Sequence, residues 1–288
     1  MHGGATAPLR RMSRPAMIQV ENVVRSFGAL RAVNGCSFTV AKSSITGIVG
    51  PNGAGKSTVF NVIAGALAPH AGRILLDGED VTGLAPFVLH SKGLLRTFQI
   101  AHEFQRMTVF ENLLAAASNR TGENLLSAFM KPTKVRAQER EIRRRAEDVM
   151  AFLNLDQLAE SLAGEISGGQ KKLLELGRTL MVDGKVILLD EIAAGVNRTL
   201  LREITDRIRE LNAERHLTFC IIEHDMDFIA ELCDHVIVMT EGRVLTEGQM
   251  VDLRQDERVI DAYFGGGKFK STGDRFQSSV DARGRDAS

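Results

Sequence analysis

Ile45-Thr46-Gly47-Ile48-Val49-Gly50-Pro51-Asn52-Gly53-Ala54-Gly55-Lys56-Ser57-Thr58 is the stretch on which the fold turns. An apolar run of strand length enters a glycine-rich turn that fits G-x-x-x-x-G-K-[ST], and the helix-like Thr58–Ala64 follows it. The glycines let the backbone curl so that successive N–H groups face inward. The helix N-terminus behind them adds partial positive charge, and the two together cradle phosphate oxygens. Lys56 supplies a point charge for β- and γ-phosphates, and the Ser57 hydroxyl suits Mg²⁺. A glycine turn that only opens a helix accounts for the glycines but for neither Lys56 nor Ser57. Gly50, Pro51, Asn52, Gly53, Ala54, Gly55, Lys56, Ser57 and Thr58 are therefore the candidate nucleotide cradle.

Two further motifs stand downstream. Val186-Ile187-Leu188-Leu189-Asp190-Glu191 is a buried-strand pattern that ends in two carboxylates. A strand of this kind delivers its acids to the carboxyl edge of a parallel sheet, where α/β folds place ligands. Asp190 suits a Mg²⁺ ligand, and Glu191 is placed to polarise an attacking water. Ser167-Gly168-Gly169-Gln170 reads as a second glycine turn, feeding a helix over Lys171–Val182. Alone it would be no more than a helix cap. In the order phosphate loop, Ser-Gly-Gly-Gln, acidic strand, the three motifs resemble the ATP-binding-cassette ATPases.

That resemblance extends over 17–264 and implies further assignments. Gln99, in Arg96-Thr97-Phe98-Gln99, matches the glutamine that approaches Mg²⁺ and the attacking water. His224, in Ile222-Glu223-His224-Asp225, matches the histidine that contacts the γ-phosphate; by itself, a histidine after a strand reads as a structural cap. Phe27 matches the aromatic that stacks on adenine, although an aromatic between two strands reads first as core. Ala194-Gly195-Val196-Asn197 matches the loop that links two sites across a dimer. Ile192 departs from the pattern, because a proline that would fix φ commonly stands there; the departure is expected to loosen the backbone behind Glu191.

The implied fold is a P-loop ATP-binding-cassette domain, α/β, with a mostly parallel RecA-like sheet, an antiparallel β portion and an inserted helical lobe at about 100–170. The implied cofactors are ATP and Mg²⁺. In the family, the Ser-Gly-Gly-Gln motif of one subunit closes over the nucleotide of another. One set of motifs thus implies a second ATPase subunit, identical or paralogous. Multi-spanning permease subunits and a periplasmic or extracellular solute-binding protein are implied as well, with the chain on the cytoplasmic side of the inner membrane and no nucleic acid bound. A finer similarity, to the ATPases of branched-chain amino-acid importers and of the related amide and urea importers, rests on Arg96–Gln99 with Met107–Leu114, on Asp190–Asn197, on Glu223–Met226 and on Asp256–Phe264. Exporter and non-transport cassettes remain the alternatives.

Composition agrees with a folded chain. The 288 residues amount to roughly two average domain lengths, and 44% hydrophobic with 25% charged residues exclude collagen-like and wholly disordered chains. Thirty-six Lys and Arg balance 36 Asp and Glu, so any pull toward nucleic acid or an anionic membrane must come from a local patch. No apolar run approaches the roughly 20 residues of a membrane span, and the start has no apolar segment of the kind a secretory signal carries. Cys36, Cys220 and Cys233 lack metal or disulfide spacing and read as small hydrophobes. Residues 1–16 and 265–288 read as flexible tails. The basic run Lys131, Lys134, Arg136, Arg140, Arg143, Arg144, Arg145 is interleaved with Glu139, Glu141, Glu147 and Asp148 and reads as a solvated helix face.

Overall fold

The computed structural model describes residues 14–97, 103–117 and 132–264. Both tails, apart from 14–16, and the Gln99 position lie outside these residues. The chain opens with β1 (Ala16–Phe27) and β2 (Leu30–Ala41), then β3 (Ile45–Val49), α1 (Lys56–Ile63), β4 (Ala71–Leu76), β5 (Glu79–Asp80), α2 (Pro86–Ser91) and β6 (Leu94–Arg96). The lobe follows with α3 (Val109–Ala116), α4 (Pro132–Phe152) and a 3₁₀ turn at Asp156–Leu158. Next come α5 (Gly168–Leu180), β7 (Val186–Asp190), α6 (Arg198–Arg215), β8 (Thr218–Ile222), α7 (Met226–Leu232), β9 (His235–Thr240), β10 (Arg243–Gly248), α8 (Met250–Leu253) and α9 (Glu257–Phe264).

Two sheets result. An antiparallel one has the order β2-β1-β4-β5, and a six-stranded one has the order β10-β9-β3-β8-β7-β6. In the second, every neighbouring pair from β9 to β6 is parallel and β10 is the antiparallel edge. Every residue of β3, β7 and β8 is buried, as expected of parallel strands covered on both faces. Their side chains alternate between two cores. Ile187, Leu189, Phe219 and Ile221 join Leu113, Val149 and Leu153 of the lobe. Val186, Leu188, Cys220 and Ile222 join Phe60 of α1 and Val20 and Val33 of the antiparallel sheet. The period of two thus hangs the helical lobe on one face and the antiparallel sheet on the other, and leaves the carboxyl edge between them.

The lobe is anchored by close approach. A Cβ at Gly177 of α5 would lie 2.9 Å from Leu153 Cδ1 and 3.0 Å from Leu113 Cδ2, so the absent side chain is what lets α3 and α4 pack against α5. Thr108 and Glu111 form a reciprocal capping box that starts α3. The buried Asn112 side chain accepts from Phe104 N and donates to the carbonyls of Phe104, Met107 and Thr108, which holds the entry to that helix.

The expected solvated face of α4 holds at Arg144, which pairs with Glu141 in solvent. Arg145 departs from it: its guanidinium donates to Leu180 O and pairs with Asp183, tying α4 to the end of α5. Cys36 and Cys220 are buried and Cys233 is half-buried, all as free thiols. No helix among the described residues is long and apolar enough to cross a membrane.

Candidate functional site

β3 ends at the phosphate loop, and the loop's glycines are required there. A Cβ on Gly50 would lie 2.1 Å from Met239 O; one on Gly55, whose φ is +95°, would lie 2.3 Å from Ala32 O. Gly55 is the N-cap of α1 and provides no side-chain cap. The first amides of this helix therefore look for acceptors elsewhere. Lys56 is buried, and its Nζ donates to Gly50 O at 2.7 Å and to Pro51 O at 3.0 Å. Burial lowers its pKa from the ordinary lysine value, and the charge of Glu191 opposes that shift.

Phe27, Leu30, Asn52, Lys56, Glu191 and His224 are among the residues that line a cavity of about 590 Å³ over this loop. Phe27 is not a core aromatic. It is 47% exposed, it lines the cavity, and the Arg25 guanidinium lies 5.2 Å from its ring centroid. Glu241, in the turn between β9 and β10, lines the same cavity.

At the carboxyl edge Asp190 is buried. Its Oδ2 accepts from Arg96 Nη2 at 2.9 Å, while its buried Oδ1 has no partner among the described residues. Arg96 also donates to Asn61 Oδ1 at 2.6 Å and stacks over Phe60, so it is held from α1 as well. The orphaned carboxylate oxygen and the hydroxyl of Ser57 in the first turn of α1 are hard oxygen donors of the kind Mg²⁺ takes. This cation usually needs only one or two protein ligands beside phosphate. The residues present fit it.

Glu191 adopts φ +50°, a left-handed conformation rare outside glycine. Its backbone N–H donates to Ile222 O at 3.0 Å, and its Oε1 lies 3.0 Å from His224 Nε2. Ile192 is buried in the core shared with the lobe. Its side chain packs into that core at the position where a proline ring would restrict φ.

Glu223 carried no role in the sequence reading, yet it is buried at the centre of this edge. Its Oε1 accepts from Ala193 N at 2.6 Å and its Oε2 from His224 N at 3.2 Å. Burial pushes its carboxyl pKa up, the two backbone donors oppose this, and the nearby Glu191 charge reinforces it. Arg96, likewise, enters the sequence reading only as part of Arg96–Gln99, with no role of its own. The signal available for both was a charged residue directly against a run of buried strand residues.

Ser167, Gly168, Gly169 and Gln170 lie outside the cavity lining. The expected glycine turn is in fact the first turn of α5, because Ser167 is the N-cap. Its hydroxyl accepts from Gln170 N at 3.3 Å, and Gln170 Oε1 accepts from Ser167 N at 2.9 Å. Asn197 caps α6 in a similar way, its Oδ1 accepting from Leu200 N.

A family model described as ABC transporter matches residues 33–194. The chain is similar to the "Probable branched-chain amino acid transport ATP-binding protein LivG" of Methanocaldococcus jannaschii, with 40% identity over 86% of this chain and 97% of that one. It is similar also to the "High-affinity branched-chain amino acid transport ATP-binding protein BraF" of Pseudomonas aeruginosa, with 37% identity over 88% of this chain and 99% of that one. Among solved structures, it is similar to the ADP conformation of an ATP-binding cassette of an ABC transporter, with 39% identity, a TM-score of 0.75, and coverage of 87% of this chain and 99% of that one.

Proposed function

This chain belongs to the ABC transporter family, whose ATP-binding cassettes hydrolyse ATP to power transport, and from that premise we propose that it energises uptake of branched-chain amino acids or similar small polar or amide solutes. The observation that carries the solute class is the likeness, along nearly the whole chain, to ATP-binding proteins of branched-chain amino acid transport. The cavity over the phosphate loop supports the enzymology.

In this reading Gly50–Thr58 take the phosphates of ATP and Phe27 takes the adenine ring. Lys56 exchanges the carbonyls of Gly50 and Pro51 for phosphate oxygens. Ser57, Asp190 and Gln99 would hold Mg²⁺, which when bound neutralises charge on the β- and γ-oxygens. Glu191 orients the attacking water and takes its proton, and His224 stabilises charge that develops on the γ-phosphoryl group. Ser167–Gln170 close over the nucleotide of a second cassette in a head-to-tail dimer, and Ala194–Asn197 run between the two sites. From the cytoplasmic side of the inner membrane this chain passes closure and opening to multi-spanning permease subunits, and a solute-binding protein outside delivers the solute.

Two experiments test this. Glu191→Gln is expected to bind ATP as the parent does, to accumulate as an ATP-bound dimer, and to lose hydrolysis by at least about a hundredfold; hydrolysis at the parental rate would end the assignment. Purification from the native membrane in mild detergent is expected to recover multi-spanning proteins and a second cassette, after which uptake assays with branched-chain amino acids, amides and urea separate the solutes. Recovery with ribosomes or nucleic acid would overturn the transporter reading and leave the ATP site standing.

A further inference from the structure

We propose that Glu223 is a positioning residue that fastens the loop after β7 to the histidine after β8, so that Glu191, His224 and Ala194–Asn197 form one mechanical unit. The inference rests on the reading of Glu191 and His224 given above.

The ladder between β7 and β8 pairs Asp190 with Ile222 and closes with the bond from Glu191 N to Ile222 O. Beyond that rung the two strands become loops, and the next connection between them is a side chain. The Glu223 carboxylate spends one oxygen on Ala193 N, across the gap, and the other on His224 N, on its own segment. Glu191 Oε1 then meets His224 Nε2 at 3.0 Å and completes a ring of four residues, Glu191, Ala193, Glu223 and His224. The buried carboxylate thus supplies the two acceptors that the ended ladder no longer offers. It fixes His224 from the backbone side while Glu191 meets the imidazole from the other. Ala193 directly precedes the loop that runs toward a partner subunit in the proposed dimer, so a shift of that loop reaches His224 through Glu223 with no intervening flexible group.

The shape of the carboxylate matters more than its mere presence. A carboxamide at 223 keeps one acceptor and turns its NH₂ toward a backbone N–H, so one arm of the bridge is lost. A shorter carboxylate keeps both acceptors, and threonine keeps one.

The test uses the full chain, with the ATPase rate and the Mg²⁺-free ATP dissociation constant measured for Glu223→Gln, Glu223→Asp, Glu223→Thr, His224→Ala and the double variant E223Q/H224A. Glu223→Gln is expected to lower kcat by about tenfold to a hundredfold, the scale of a misplaced catalytic group, and to leave ATP binding within about twofold. Glu223→Asp is expected to keep more activity than Glu223→Thr. In the His224→Ala background Glu223→Gln is expected to cost little more, because it acts through that histidine. A parental kcat in Glu223→Gln, reductions that multiply in the double variant, or equal activity in the Asp and Thr variants would each overturn the proposal. If Glu223→Gln does not fold, the Asp and Thr pair decides alone. Glu191→Gln in the same assay separates the two levels: if it still hydrolyses ATP, the assigned site fails; if it is inactive while Glu223→Gln is not, only the role of Glu223 fails.

Discussion

α1 and α5 both begin in a glycine-rich stretch, and they treat their N-termini in opposite ways. At α1 the glycines are outside the helix, in backbone conformations or contacts that exclude a side chain, and no side chain caps the first turn. At α5, Gly168 and Gly169 are inside the helix, and a complete capping box between Ser167 and Gln170 satisfies its start. The uncapped helix has donors to spare and a lysine beside them, which is why the proposed reading puts the phosphate chain there within one subunit. The capped one is satisfied without a ligand, so in the proposed dimer its contact with a partner's nucleotide is an addition to an already complete helix start.

The comparison breaks first at Lys56. Lys56→Ala is expected to weaken ATP binding by about a hundredfold, the equivalent of one strong charge-assisted contact, as measured by titration calorimetry, with folding intact. The same side chain gives a pH dependence. Its pKa is lowered below the ordinary lysine value by burial, so it loses its proton sooner than a free lysine as pH rises. ATP affinity should then fall before the ordinary lysine range is reached. The stability of the nucleotide-free chain should move the other way, because the cost of a buried ammonium is present below the folded pKa and is relieved as pH climbs through it. Lys56→Ala should show neither slope.

Gly168→Ala probes the second helix. A Cβ at this position meets nothing within 4 Å, and alanine favours a helix over glycine by roughly 1 kcal/mol. The variant should melt slightly higher than the parent. ATP-driven dimerisation, followed by light scattering in the Glu191→Gln background, should nonetheless weaken by about tenfold, because in the proposed dimer the new methyl sits at the helix start that closes over the partner's nucleotide. Unchanged dimerisation would mean that α5 contributes nothing across the interface.

How much of this was legible follows from where the signal resides. The phosphate loop, β7, β8 and the helices of the lobe were readable, because each combines a run of buried residues with a spacing that chemistry restricts. The boundaries that differed are explained by caps. Ser167 and Gln170 form a reciprocal pair that draws Gly168 and Gly169 into α5, and the pair is visible only once Ser-x-x-Gln is read as a capping box. Phe27 in isolation reads as core because an aromatic between strands usually is; the family resemblance points instead to adenine stacking, and the structure shows it exposed at the cavity over the phosphate loop. Arg96 and Glu223 were legible only as charged residues set directly against buried strands, and their roles were not, for a different reason. Their partners, Asp190 and Ala193, come together only when β6, β7 and β8 lie side by side, and a single chain read in order has no term for that neighbourhood.

The smallest expected effect sharpens the contrast most, since it isolates the cap from the ligand. Ser167→Ala removes the hydroxyl that accepts from Gln170 N, and loss of such a cap costs about 1 kcal/mol. In a domain of this size that corresponds to a melting point lower by roughly 2–4 °C. The drop should be equal with and without saturating ADP, because in the proposed reading ADP binds at α1, apart from the start of α5. If ADP affinity in the monomer fell together with the melting point, the two helix starts would be coupled within one subunit, and the division between a ligand-satisfied and a self-satisfied N-terminus would not hold.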